Sequence, residues 1–132
     1  MASKPKILIV EDQIPVAMAM TSVLTIADCE IKVATTGAKA MQMAQDEIFD
    51  LITLDVDLPD MSGFEICFRL KENPFFQTPI VFISGRPLEQ DAQRGLKLGA
   101  VDYISKPFGT EFAPRLLSHI KNDIAVSEGA MA

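Results

Sequence analysis

Four carboxylates, one hydroxyl and one ammonium sit at the ends of short apolar runs in this chain. Glu11 and Asp12 follow Ile7 to Val10, Asp55 and Asp57 follow Leu51 to Leu54, Ser84 closes Ile80 to Ser84, and Lys106 follows Val101 to Ile104. If these runs are parallel strands of one sheet, all six groups leave the edge at which open α/β sheets bind ligands. Taken singly, a strand-end Asp is more simply a cap or turn former, and Asp12 alone could cap the first helix. Taken together, the carboxylates repel, and only a cation or a proton makes the cluster tolerable. An all-oxygen set suits Mg²⁺ or Mn²⁺, held by one or two carboxylates, waters and a phosphate oxygen. Lys106 can then hold a second phosphate oxygen as a point charge and Ser84 can donate to a third. The ligand so described is a phosphoryl group.

No Gly-x-x-x-x-Gly-Lys or Gly-x-Gly-x-x-Gly loop is present to cradle a nucleotide. The single histidine, His119, falls in the last helical stretch, away from the strand ends, and reads as a surface or boundary residue. A carboxylate can itself be the nucleophile, as in aspartyl-phosphate chemistry. Asp55, on the central run between the acidic pair and Lys106, is the best placed.

The elements that must position these groups follow from periodicity. Five apolar runs, Ile7 to Val10, Ile31 to Ala34, Leu51 to Leu54, Ile80 to Ser84 and Val101 to Ile104, alternate with stretches of helical spacing. Ile14, Ala17, Met20, Leu24 and Ala27 advance in steps of three and four, as do Phe112, Leu116 and Ile120, so each set predicts one buried helix face. The first, third and fourth runs lack polar alternation and predict inner parallel strands covered on both sides. The second and fifth alternate more and suit the sheet edges. Pro15 fits the first turn of the first helix, Ser62 with Glu65 reads as a capping box opening the third, and Gly99 reads as the stop of the fourth.

The 132 residues make one domain, with a core over about 6–125 and a frayed small-residue tail over 126–132. A net charge of −6 argues against a sequence-blind grip on nucleic acid and makes cations the better partners. The longest uncharged stretch, Ile14 to Ala27, is too short to span a bilayer, and four apolar residues after Lys6 do not make a secretory signal. Cys29 and Cys67 have no Cys-x-x-Cys partners and are expected to be free thiols in a reducing cytoplasm.

With these residues in place, the chain resembles a response-regulator receiver domain of bacterial two-component signalling, over about Lys6 to Lys121. The motifs that carry the resemblance are Glu11-Asp12 after Ile-Leu-Ile-Val, the segment Leu54-Asp55-Val56-Asp57-Leu58-Pro59-Asp60-Met61-Ser62-Gly63, the strand end Ile83-Ser84-Gly85, and Tyr103-Ile104-Ser105-Lys106-Pro107-Phe108. The resemblance implies a flavodoxin-like, doubly wound (βα)5 fold with a five-stranded parallel sheet in the order 2-1-3-4-5. It implies that Asp55 accepts the phosphoryl group from a histidine kinase or histidine phosphotransfer protein. Asp12, Asp55 and the backbone carbonyl of Asp57 would ligate Mg²⁺, with Glu11 acting through water. Lys106 would pair with the acceptor across a cis Lys106-Pro107 bond. Ser84 would turn toward the phosphoryl group and Tyr103 would follow it inward. That movement would change the surface of the fourth helix, fifth strand and fifth helix, which a downstream protein reads and through which the chain could dimerise.

Ser84 stands where Thr is commoner in the family, keeping the donor and losing a methyl. Asp57 and Arg86 occupy positions where the family varies, and are expected to tune phosphoryl lifetime; for Arg86 a solvated loop charge is the equal alternative. Two competing readings differ in class. Asp55-Val56-Asp57 resembles the Asp-x-Asp core of haloacid-dehalogenase-type phosphatases, but that family places the motif after its first strand and has Thr or Val where this chain has Pro59. A pseudo-receiver that only binds partners would have lost Asp55, Lys106 or the acidic pair. The expectation is therefore a switch and not a turnover enzyme, one that, if the chain is complete, works through a partner.

Overall fold

The computed structural model describes residues 4–86 and 89–120. Its strands are β1 (Lys6–Val10), β2 (Glu30–Ala34), β3 (Leu51–Leu54), β4 (Ile80–Ser84) and β5 (Asp102–Ser105), and its helices α1 (Ile14–Ile26), α2 (Gly37–Asp46), α3 (Gly63–Lys71), α4 (Glu89–Lys97) and α5 (Phe112–Leu117). All four strand pairings are parallel, in the order β2-β1-β3-β4-β5. The order reverses at β1, so the carboxyl ends of β1 and β3 flank the crevice expected to bind a ligand. The sheet order is the one the resemblance implies, and the edge positions of β2 and β5 are those expected from their polar alternation. The tail at 126–132 and the end of the core at 121–125 lie outside the described residues.

Successive side chains of a strand point to opposite faces, and this alternation builds two cores. Leu8, Ile52, Leu54, Ile80 and Phe82 face α2 and α3, meeting Ala40, Phe64, Ile66 and Leu70. Ile7, Ile9, Leu51, Val81, Ile83 and Ile104 face the other way onto Met20 and Leu24 of α1 and Phe112 and Leu116 of α5. Each inner strand is therefore buried on both faces, which is why its sequence lacks polar alternation.

Local structure departs from expectation at three places. β5 begins at Asp102, because Val101 is a half-exposed lead-in whose N–H donates to the Ile80 carbonyl. On α1, Ala17, Met20 and Leu24 are buried but Ile14 is 52% exposed, the helix having begun beyond the sheet it covers. At α3, Ser62 Oγ accepts from the Phe64 N–H at 3.1 Å, yet Glu65 does not close a capping box. Glu65 instead pairs with Arg69 at 2.9 Å, one turn along the exposed face, in the favourable acid-before-base order. Pro15 opens α1, and Gly99, at φ 104°, follows α4 as expected. Cys29 and Cys67 are buried, free thiols. Among the described residues no helix is long and apolar enough to cross a membrane.

Candidate functional site

Glu11, Asp55 and Lys106 stand just past the ends of their strands with their backbones still held by the neighbouring strand. The Glu11 N–H donates to the Ala34 carbonyl, the Asp55 N–H to Val10, and the Lys106 N–H to Ser84, at 3.0, 3.0 and 2.8 Å. The ladder thus fixes where these side chains start, and the strand twist aims them into one crevice. Beneath the segment that follows β3, Gly63 opens α3 so close to the Asp55 carbonyl that a Cβ would overlap it. Only glycine allows α3 to begin there.

Carboxylate oxygens of Glu11, Asp12 and Asp55 lie within 4.8 Å of one another. Glu11 and Asp55 are buried, and Asp12 is the most open of the three. Lys106 Nζ reaches into this cluster, 2.6 Å from Glu11 Oε1 and 3.3 Å from Asp55 Oδ2. The nearer partner is Glu11, not the expected Asp55, because Glu11 is almost wholly removed from water and is the carboxylate most in need of a counter-charge. Burial pushes the Glu11 carboxyl up to about 7; Lys106 opposes that rise and Asp55 adds to it. Burial also pulls the Lys106 ammonium down, but its two carboxylate partners more than offset this and leave it raised. The three carboxylates form a hard, all-oxygen donor set that could hold a divalent cation.

The loops around this cluster are tied to one another. Asp57 N–H donates to Asp55 Oδ1 at 3.2 Å, and Asp57 Oδ1 accepts from Arg86 at 3.1 Å. Arg86 N–H donates to Ser84 Oγ at 3.0 Å, while its carbonyl accepts the Tyr103 hydroxyl at 2.7 Å. Ser84 is fully buried, and its hydroxyl has no hydrogen bond to Asp55. Tyr103 packs its ring 6.1 Å from that of Phe82, and the Lys106–Pro107 peptide is cis.

The structure therefore brings Glu11, Asp12, Asp55 and Lys106 into direct reach and places Asp57, Arg86, Ser84 and Tyr103 in a second set joined by backbone groups and by the Asp57–Arg86 side-chain pair. Asp12 does not cap α1, whose N-cap is Gln13 with no side-chain bond. His119 is outside the site, 2.9 Å from Asp102. Two residues escaped sequence reasoning. Asp60 accepts from the Gly37 and Ala38 N–H groups at 2.7 and 2.9 Å, so the segment after Asp55 is fastened to the start of α2. Those two bonds hold the Asp60 carboxyl below its ordinary range. Asp91, in the first turn of α4, meets Arg86. An acid in a helix's first turn is too common to signal the role of Asp91.

The family described as "Response regulator receiver domain" matches residues 7–120. Over 123 residues the chain is 32% identical to the transcriptional regulatory protein KdpE of Mycobacterium tuberculosis, covering 92% of this chain and 54% of that one. The chain spans about half the length of such curated relatives. Chemotaxis protein CheY4 of Vibrio cholerae superposes with a TM-score of 0.81 at 29% identity, covering 90% of this chain and all of that one. The BeF3-activated N-terminal receiver domain of Klebsiella pneumoniae RstA gives 0.83 at 30% identity, covering 89% and 99%.

Proposed function

Because the chain belongs to the response-regulator receiver family, we propose that it is a switch thrown by transfer of a phosphoryl group from a histidine kinase or histidine phosphotransfer protein to Asp55. One observation carries this reading: the Asp55 carboxylate belongs to an all-oxygen cluster that the Lys106 ammonium reaches, at the crevice where the strand order reverses. An Asp55 oxygen attacks phosphorus, the bond from phosphorus to the donor imidazole nitrogen breaks, and its electron pair leaves with the imidazole. Reversal to the free carboxylate needs only water attacking the same phosphorus, with release of inorganic phosphate.

The residues divide the work by charge. Asp12, Asp55 and the Asp57 carbonyl hold Mg²⁺ or Mn²⁺, with Glu11 contributing through water. The bound cation supplies charge neutralisation for the incoming phosphoryl oxygens. Lys106 is already 3.3 Å from Asp55 and offers a second positive charge. Ser84 supplies a hydroxyl donor, and Tyr103 carries its change to the face of α4, β5 and α5. That face is where a downstream protein or a second copy binds. Asp57 and Arg86 set how long the phosphoryl group lasts. Asp57 is poorly placed to serve a phosphatase as acid or base, since its carboxylate is exposed and paired with Arg86. The chain works in the cytoplasm.

Incubation with acetyl phosphate and Mg²⁺ tests the reading by intact mass. The wild type should gain a single phosphoryl group and Asp55→Asn none. An equal gain in Asp55→Asn refutes Asp55 as the acceptor, and continued release of phosphate from unrelated monoesters would indicate a phosphatase.

A further inference from the structure

Besides its N–H bond to Ser84 Oγ, Arg86 is bonded in three directions. Its guanidinium donates from NH1 to Asp57 Oδ1 at 3.1 Å, while its Nε lies 3.3 Å from Asp91 Oδ2 in α4. Its carbonyl holds the Tyr103 hydroxyl of β5. One residue thus touches the acceptor loop, the first turn of α4 and the edge strand.

The two acids it serves are unlike. The Asp57 side chain is 62% exposed and well hydrated, whereas that of Asp91 is 13% exposed. Asp91 Oδ2 is buried and makes no hydrogen bond among the described residues; the Arg86 approach is an ion pair at that oxygen without hydrogen-bond alignment. Asp91 therefore depends on Arg86 for compensation of its charge, while Asp57 can rely on water. The acceptor connects to this balance directly, because Asp57 N–H donates to Asp55 Oδ1.

We propose that Arg86 is a positioning residue that carries the charge state of Asp55 to α4, its guanidinium leaving Asp91 for the acceptor side when a phosphoryl group arrives. This inference rests on Asp55 being the acceptor. Phosphorylation replaces one carboxylate charge by a group of about two negative charges with three acceptor oxygens. The guanidinium, already bonded to Asp57 two residues from Asp55, follows that field. Asp91 then loses its counter-charge, and the first turn of α4 must move to bring the carboxylate to water. The shift of Arg86 also moves the carbonyl that holds Tyr103, so α4 and β5 respond together. Because the Arg86 N–H is bonded to Ser84 Oγ, this route lies directly beside that hydroxyl.

The test uses beryllofluoride with Mg²⁺ as the phosphoryl stand-in, and backbone NMR of wild type, Asp91→Asn and Glu89→Gln. Glu89 is an exposed acid in the same helical turn and controls for charge at the helix start. Asp91→Asn should still bind beryllofluoride at the acceptor. Its α4 amides should already lie toward the bound positions before addition, and their further displacement should fall below about half that of the wild type. Glu89→Gln should respond as wild type does. Full wild-type displacement of α4 in Asp91→Asn overturns the Arg86 route and leaves the acceptor assignment intact. Loss of the displacement to the same degree in Glu89→Gln also overturns it, since helix charge alone would then be responsible. No binding by the wild type overturns the acceptor reading and this inference with it.

Discussion

Replacing Asp55 by Asn should stabilise the metal-free protein at alkaline pH and cease to do so at acid pH. The change keeps the shape of the side chain and the oxygen that accepts the Asp57 N–H, but removes its charge. With oxygens no more than 4.8 Å apart and an effective dielectric near 20, Asp55 repels Glu11 and Asp12 by at least about 3.5 kcal/mol each. Its attraction to Lys106 at 3.3 Å is worth about 5 kcal/mol on the same scale. Repulsion therefore exceeds attraction by about 2 kcal/mol, and exposure of Asp12 and ordinary salt reduce this to about 1 kcal/mol. Lys106 keeps its shorter bond to Glu11 in the variant. Because the Glu11 carboxyl is raised to about 7, it is charged at pH 8 but holds its proton well below 7. One of the two repulsions is then gone, Lys106 dominates, and the substitution becomes neutral or destabilising. For Glu11 itself, a raised value means that its contribution to stability is present below the ordinary carboxylate range and is lost as pH rises through about 7. Urea melts of both proteins with EDTA, near pH 8 and near pH 5.5 at equal ionic strength, read the difference directly, provided m is unchanged. A variant less stable than wild type near pH 8, or a gain of the same size at both pH values, would refute the reasoning.

Other outcomes follow from the same contacts. Gly63→Ala forces a methyl onto the Asp55 carbonyl and should cost about 2 kcal/mol or more in denaturant melts while weakening Mg²⁺ binding; a change below about 0.5 kcal/mol would mean that the start of α3 relaxes freely. Burial works to raise Asp102, but the Arg115 fork at 2.8 and 2.7 Å and His119 outweigh it and hold it at about 2. A lowered carboxyl stabilises the fold above the ordinary Asp range and loses that contribution as pH falls toward 2. Arg115→Leu should therefore remove about 1 kcal/mol at pH 7, after allowance for the solvent-exposed arginine, and progressively less as pH falls through about 2. Ser84→Ala should bind beryllofluoride more weakly and leave the Tyr103 signals less displaced at saturation; full displacement would show that the hydroxyl is not part of the route to β5.

The fold was legible in the sequence to the extent that burial enforces pattern. The unbroken apolar runs of β1, β3 and β4 arise because both faces are covered, and the polar residues of β2 and β5 mark the edges. Strand order was not in the periodicity and came from the resemblance. Helix faces were less legible, as Ile14 shows: spacing tells which residues share a stripe but not where the sheet beneath it ends. In the site, residue types at strand ends identified Glu11, Asp12, Asp55 and Lys106, since those positions are set by the ladder itself. Partner choice was not visible. That Lys106 lies nearer Glu11, that Glu65 prefers Arg69 to a capping box, and that Arg86 reaches Asp91 depend on relative burial and side-chain reach across 95, 4 and 5 positions of sequence respectively.

The central claim is that Asp55 is where the phosphoryl group is held, and reductive trapping tests it most directly. Borohydride converts an acyl phosphate of aspartate to homoserine, so peptide mass spectrometry after treatment with acetyl phosphate and Mg²⁺ reads the modified position itself. The account predicts homoserine at position 55, dependent on Mg²⁺ and absent when phosphodonor is omitted. Homoserine at position 12 or 57 in place of 55, or a phosphoryl group that survives on His119 or a hydroxyl residue, would contradict it.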